Sequence, residues 1–80
     1  MGKSVRVYTM EGNPDGEAAL AFFTTRGVSV EVSDVGKDAQ ATLDLFRLCG
    51  RLSIPTIVIA GELFWGFGKH RETIEQTIRE

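Results

Sequence analysis

Gly50-Arg51-Leu52-Ser53-Ile54-Pro55-Thr56-Ile57-Val58-Ile59-Ala60-Gly61 contains a helix stop, a proline loop, a strand and a turn in twelve residues. Gly50 supplies the left-handed residue that ends a helix. The continuous apolar run Ile57 to Ala60 fits a strand buried on both faces, and Gly61 makes the turn after it. Leu63 to Trp65 then reads as the partner strand of a hairpin. Beyond it, Arg71 to Arg79 places Ile74, Thr77 and Ile78 on one side of a terminal helix. Upstream, Asp38 is the cap of a second helix that turns Ala41, Leu45 and Leu48 inward. Val28, Val30 and Val32 alternate with Ser29, Glu31 and Ser33, the pattern of a half-buried strand. Ser4 to Tyr8 alternates in the same way, and Thr9 to Gly12 forms a loop. Asn13 offers an N-cap oxygen, Pro14 suits the first helical position, and Asp15 and Glu17 lie in the first turn. Ala19, Phe22 and Phe23 face the sheet from this first helix, which Gly27 ends. The predicted order is β-α-β-α-β-β-α, an α/β chain with three helices and a four-stranded mixed sheet. The first β-α-β unit is parallel and right-handed, and the hairpin is antiparallel within the same sheet.

Eighty residues predict one domain, 1–80, with a small core: a chain this short buries only about 60% of its unfolded surface. Apolar residues at 42% and charged residues at 25% are ordinary for a globular protein. A formal net charge of −2 and a pI near 5.3 argue against a nucleic-acid partner, which needs a basic stripe. No apolar run approaches the ~20 residues of a membrane span, and no signal-peptide core is visible, so the expected location is the cytoplasm. Cys49 is the one cysteine, which excludes an intrachain disulfide and a multi-thiolate metal site.

Four local patterns in this element order resemble the glutaredoxins and the related redoxins that donate hydrogen to ribonucleotide reductase. Val7-Tyr8-Thr9 ends the opening strand ahead of a Pro-containing helix start. Gly27-Val28 followed by Asp34-Val35 has the spacing of the second strand. Gly50 to Thr56 is similar to the family's cis-proline loop, and Gly66-Phe67 to its glycine-rich turn. The resemblance spans Val5 to Ile78 and implies a thioredoxin-like fold. It also implies a cis bond before Pro55, with the backbone of Ile54 offered to an extended peptide or to glutathione.

The same resemblance exposes a departure. Its members open the first helix with Cys-Pro-x-Cys, or with one cysteine in the monothiol class, where this chain has Asn13-Pro14-Asp15-Gly16. A helix start stabilises a thiolate through its unpaired N–H groups and partial positive charge. Thiol–disulfide exchange needs that thiolate as attacker and a second thiol to resolve the mixed disulfide. Asparagine and glycine supply neither, so ordinary dithiol chemistry is expected to be absent.

The remaining candidates each have a plain and a functional reading. Asn13 is an N-cap, or an amide that reaches a ligand; Asp15 and Glu17 complement the helix dipole, or line the site. Cys49, next to Gly50, is a small buried hydrophobe, or a single thiol activated by Arg51. Of the glutathione contacts implied by the resemblance, Arg51 is retained. Met10 and Lys69 stand where a cation and an aspartate are usual, so weak glutathione affinity or none is expected, and no cofactor is assigned. Trp65 is expected to be buried against the terminal helix, and His70, Glu72 and Glu75 to be solvated. Phe67 is a candidate for an exposed apolar patch. The candidate ligand-binding set is Asn13, Asp15, Arg51, Ile54, Pro55, Gly66 and Phe67, with no metal ligands and with a protein or peptide partner at the Pro55 edge. Three functions are open: a non-catalytic binding module for a peptide or small thiol, a divergent monothiol oxidoreductase through Cys49, and an assembly domain without a small-molecule site.

Overall fold

The computed structural model describes residues 3–80. Its elements are β1 (Val5–Thr9), α1 (Pro14–Thr25), β2 (Val30–Asp34), α2 (Ala39–Cys49), β3 (Thr56–Ile59), β4 (Glu62–Trp65) and α3 (Arg71–Arg79), with a single 3₁₀ turn, Gly68–His70, before α3. The strands form one sheet in the order β2-β1-β3-β4. β1 and β2 run parallel, with Val5 opposite Val30 and Thr9 opposite Asp34. β3 lies antiparallel to β1, and β4 antiparallel to β3. The predicted order and mixed sheet are both present; the 3₁₀ turn was not anticipated.

The helix boundaries follow the caps. Asn13 Oδ1 accepts the Gly16 N–H at 2.7 Å with Pro14 in the first helical position, and Asp38 Oδ1 accepts the Gln40 N–H at 3.0 Å. Gly50 closes α2 at φ +72°, in the left-handed region where a side chain is penalised. The hairpin turn is Ala60-Gly61, since Ile59 pairs with Glu62. Both turn residues have positive φ, at +50° and +88°, as a two-residue turn matched to the strand twist requires. Ala60 therefore belongs to the turn and not, as the apolar run predicts, to the strand.

The main core lies between one face of the sheet and the helices α1 and α3. Val5, Val7, Ile57, Ile59 and Phe64 meet Ala19, Phe22, Phe23 and Ile74 there, with Phe67 from the turn before α3. Tyr8 and Thr56, paired across β1 and β3, are buried on the opposite face, where α2 contributes Ala41 and Leu45. This second layer is thinner. Val58 is only half-buried, so β3 is not enclosed on both faces throughout. Leu48, predicted inward, is 42% exposed, and Leu43 and Phe46 on the same helix are exposed as well. One helix of eleven residues covers too little of a four-stranded face to bury them.

Candidate functional site

The end of β1, the start of α1, the loop before β3 and the turn after β4 carry the residues singled out in the sequence. Gly50 releases the chain from α2, and Arg51 to Ile54 run irregularly to Pro55. The Ile54–Pro55 peptide bond is cis. Thr56 Oγ1 donates to Ser53 O at 2.6 Å, which ties the loop to the first residue of β3. The Pro55 carbonyl accepts the Gly66 N–H at 2.8 Å, joining the loop to the end of β4. Ile54 itself is half-buried, and its N–H and C=O have no partner among the described residues.

The helix start opposite is internally satisfied. Asn13 Oδ1 takes the Gly16 N–H, the Asn13 carbonyl takes the Glu17 N–H at 2.9 Å, and Glu17 Oε2 takes the Gly12 N–H at 3.1 Å. Asn13 is thus an N-cap in fact, and its carbonyl-type oxygen is committed. Gly16 is buried against Thr9. Asp15 turns away from its own helix: Oδ2 accepts the Phe67 N–H at 2.7 Å and Oδ1 the Gly68 N–H at 3.0 Å. No sequence pattern indicates this tie between the first helix and the turn before α3.

Several expectations about the aromatic and charged residues need correction. Phe67 is only 5% exposed and packs on Phe22 with ring centroids 5.1 Å apart. It is a core residue, and only its backbone reaches the site. Trp65 is 41% exposed and is not buried against α3. β4 alternates, so with Phe64 inward Trp65 points to the other face, where the Arg51 guanidinium lies 4.4 Å from its ring centroid. His70 is half-buried and its ring packs 6.0 Å from that of Phe64. Glu75 is no free surface carboxylate: Oε2 accepts from Arg26 at 3.1 Å and from Arg79 at 3.0 Å. Arg26 holds the Glu75 carboxyl below its ordinary range.

Cys49 is half-buried at the last residue of α2, and its Sγ lies 3.3 Å from both Leu45 O and Arg51 O. Arg51, the cation expected to activate it, is engaged with Trp65. Among the described residues no cluster of His, Cys, Asp and Glu could hold a metal ion, and no helix is long and apolar enough to cross a membrane.

Residues 5–64 match the family described as Glutaredoxin. No curated protein sequence matches the chain significantly. Among solved structures, the thioredoxin-like protein BC3987 is 34% identical over 92% of this chain and 99% of its own, with a TM-score of 0.82. A glutaredoxin from Archaeoglobus fulgidus superposes with a TM-score of 0.81 at 22% identity, over 98% of this chain and 88% of its own. A buckwheat glutaredoxin, solved as a complex with glutathione, has a TM-score of 0.74 at 14% identity over 96% and 77% of the two chains. The last two likenesses establish the thioredoxin fold alone.

Proposed function

Because the chain belongs to the glutaredoxin family, we propose that it is a non-redox member, a binding module that holds an extended peptide or small thiol at the Ile54–Pro55 edge. The observation that carries this reading is the unpaired backbone N–H and C=O of Ile54, just before β3. A free N–H and C=O on a half-buried residue next to β3 can pair with an incoming strand without any thiol. Trp65 and Arg51, stacked and exposed beside β3, add an apolar and cationic flank. A peptide is favoured over glutathione, since Met10 and Lys69 supply neither the cation nor the carboxylate usual at those places.

The atoms at the helix start support the non-redox reading. Asn13 and Gly16 stand where the family's cysteine pair is expected, and Asn13 serves as a cap. The remaining sulfur, Cys49, sits on another helix between two carbonyl oxygens. A lone free thiol fits a reducing compartment, so the cytoplasm is the proposed location.

Amide chemical shifts of the labelled protein test this reading. Titration with a short extended peptide of alternating Val and Ser should move the Ile54 amide and the Trp65 indole at about millimolar concentration. Reduced glutathione should move them less. No movement with either compound at that concentration contradicts the proposal.

A further inference from the structure

We propose that Asp15 is a specificity-determining residue of this site: its carboxylate fills the anion-binding turn at Phe67–Gly68 and so excludes carboxylate-bearing ligands from it. The inference rests on the binding-module reading for what the turn adjoins, though the contact itself stands apart from it.

The turn is shaped for a carboxylate. Gly66 at φ +102° followed by Phe67 in the right-handed region aims two successive backbone N–H groups at one point, a concavity that attracts anions. Each oxygen of Asp15 accepts one of them, at 2.7 and 3.0 Å. The glycines on either side leave room for the group. A Cβ at Gly68 would lie 3.3 Å from Asp15 Oδ1, and one at Gly66 would lie 3.8 Å from Oδ2. No lysine or arginine is paired with Asp15 among the described residues, so the backbone amides are its partners. They are separated from it by 52 and 53 residues. The chain has therefore placed a carboxylate from its first helix in a turn built near its last.

An external carboxylate must displace this internal one. Asp15 is tethered and ordered, so its effective concentration at the turn exceeds that of a ligand free in dilute solution. Two amides at the helix start are also taken, Gly16 N–H by Asn13 and Gly12 N–H by Glu17. With Asp15 in place, the surface left for recognition is the uncharged Ile54 backbone and the Trp65–Arg51 pair. The substrate class is then a peptide main chain, and a free carboxylate terminus is selected against at the Phe67–Gly68 turn.

The test uses acetate as probe on the full chain, with chloride at matched ionic strength as control. In wild type, the Phe67 and Gly68 amides should respond to acetate no more than to chloride. In Asp15→Ala they should show saturable, acetate-specific shifts with a midpoint at least about tenfold lower in concentration than any wild-type response. Asp15→Asn, which keeps the volume but has one acceptor oxygen, should fall between. Acetate-specific shifts of equal size in wild type, or none in a folded Asp15→Ala, overturn the proposal. Loss of the fold in both variants also overturns it, because the carboxylate would then be a condition of folding and not a guard. Peptide shifts at Ile54 are a separate signal, so the binding-module reading and the role of Asp15 can fail independently.

Discussion

The hydroxyl of Thr9 occupies the space in which a side chain at position 16 would begin. A Cβ placed on Gly16 collides with Thr9 Oγ1 and lies 3.0 Å from Thr9 Cβ. Thr9 is buried, and Oγ1 has no hydrogen-bond partner among the described residues. The end of β1 and the first turn of α1 are therefore fitted to each other, hydroxyl against glycine.

This fit makes a prediction with a change of sign. Replacing a helical glycine by alanine ordinarily stabilises by about 0.5–1 kcal/mol. Here overpacking against Thr9 opposes that gain by about 1–3 kcal/mol. Gly16→Ala should lower stability by about 1 kcal/mol, and by less in a Thr9→Ala background, where the hydroxyl is gone and only the 3.0 Å approach to the Cβ of residue 9 remains. Denaturant unfolding of the four proteins measures both. The same effect in both backgrounds would show that Thr9 does not hold the space.

The same crowding bears on restoring sulfur to the helix start. Asn13→Cys with Gly16→Cys should introduce measurable disulfide exchange, since the helix end that stabilises a thiolate is intact. Adding Thr9→Ala to the pair should increase its stability by about 1 kcal/mol, as the second thiol no longer displaces the hydroxyl. Turnover of a small mixed disulfide and thermal melts report the two effects. An inactive, folded double variant would mean that the helix start is not the site of the family's chemistry.

Arg51 over Trp65 gives the chain an optical reporter. Arg51→Ala should shift Trp65 emission to longer wavelength by exposing the ring, while costing no more than about 1 kcal/mol, the scale of an exposed cation–π pair. A peptide that docks at Ile54 should perturb the same emission. Unchanged emission in Arg51→Ala would show that the stack is not populated in solution.

Glu75 should make the junction of α1 and α3 sensitive to acid. Its folded pKa is depressed, first by the Arg26 hydrogen bond and further by the charges of Arg26, Arg79 and Arg71. The unfolded chain thus binds the proton more readily, and the contribution is fully present above the unfolded value of about 4.3. It is lost as pH falls through the lower folded value. Glu75→Gln should be less stable than wild type at pH 7 and should converge with it at the acid end of a pH series of melts. A constant difference across the series would contradict the linkage.

The elements that position the site are legible in sequence because they are set locally. Asn13, Pro14, Asp38 and Gly50 each fix a helix end within a few residues of themselves, and the cis-proline loop carries its own pattern. The side chains that finish the site are not legible in that way. The Asp15 tie spans 52 residues to Phe67, and nothing near Asp15 distinguishes it from any first-turn acid. Trp65 takes the unexpected face because strand alternation gives two faces without saying which one is covered, and Phe67 turns inward because it lies beyond β4, after the positive-φ Gly66. Leu48 fails for a related reason: helical spacing points it towards the sheet, but the length of α2 limits what it can bury. The Glu75 pairing with Arg26 depends on α1 and α3 sharing a face of the sheet, which only the assembled fold provides.

The most direct test of the proposed non-redox role is turnover of a small mixed disulfide by the wild-type chain, with glutathione as reductant and Cys49→Ser measured alongside. We predict a rate equal to the uncatalysed background for both proteins. A rate above background in wild type that disappears in Cys49→Ser would contradict the account and make Cys49 a working thiol.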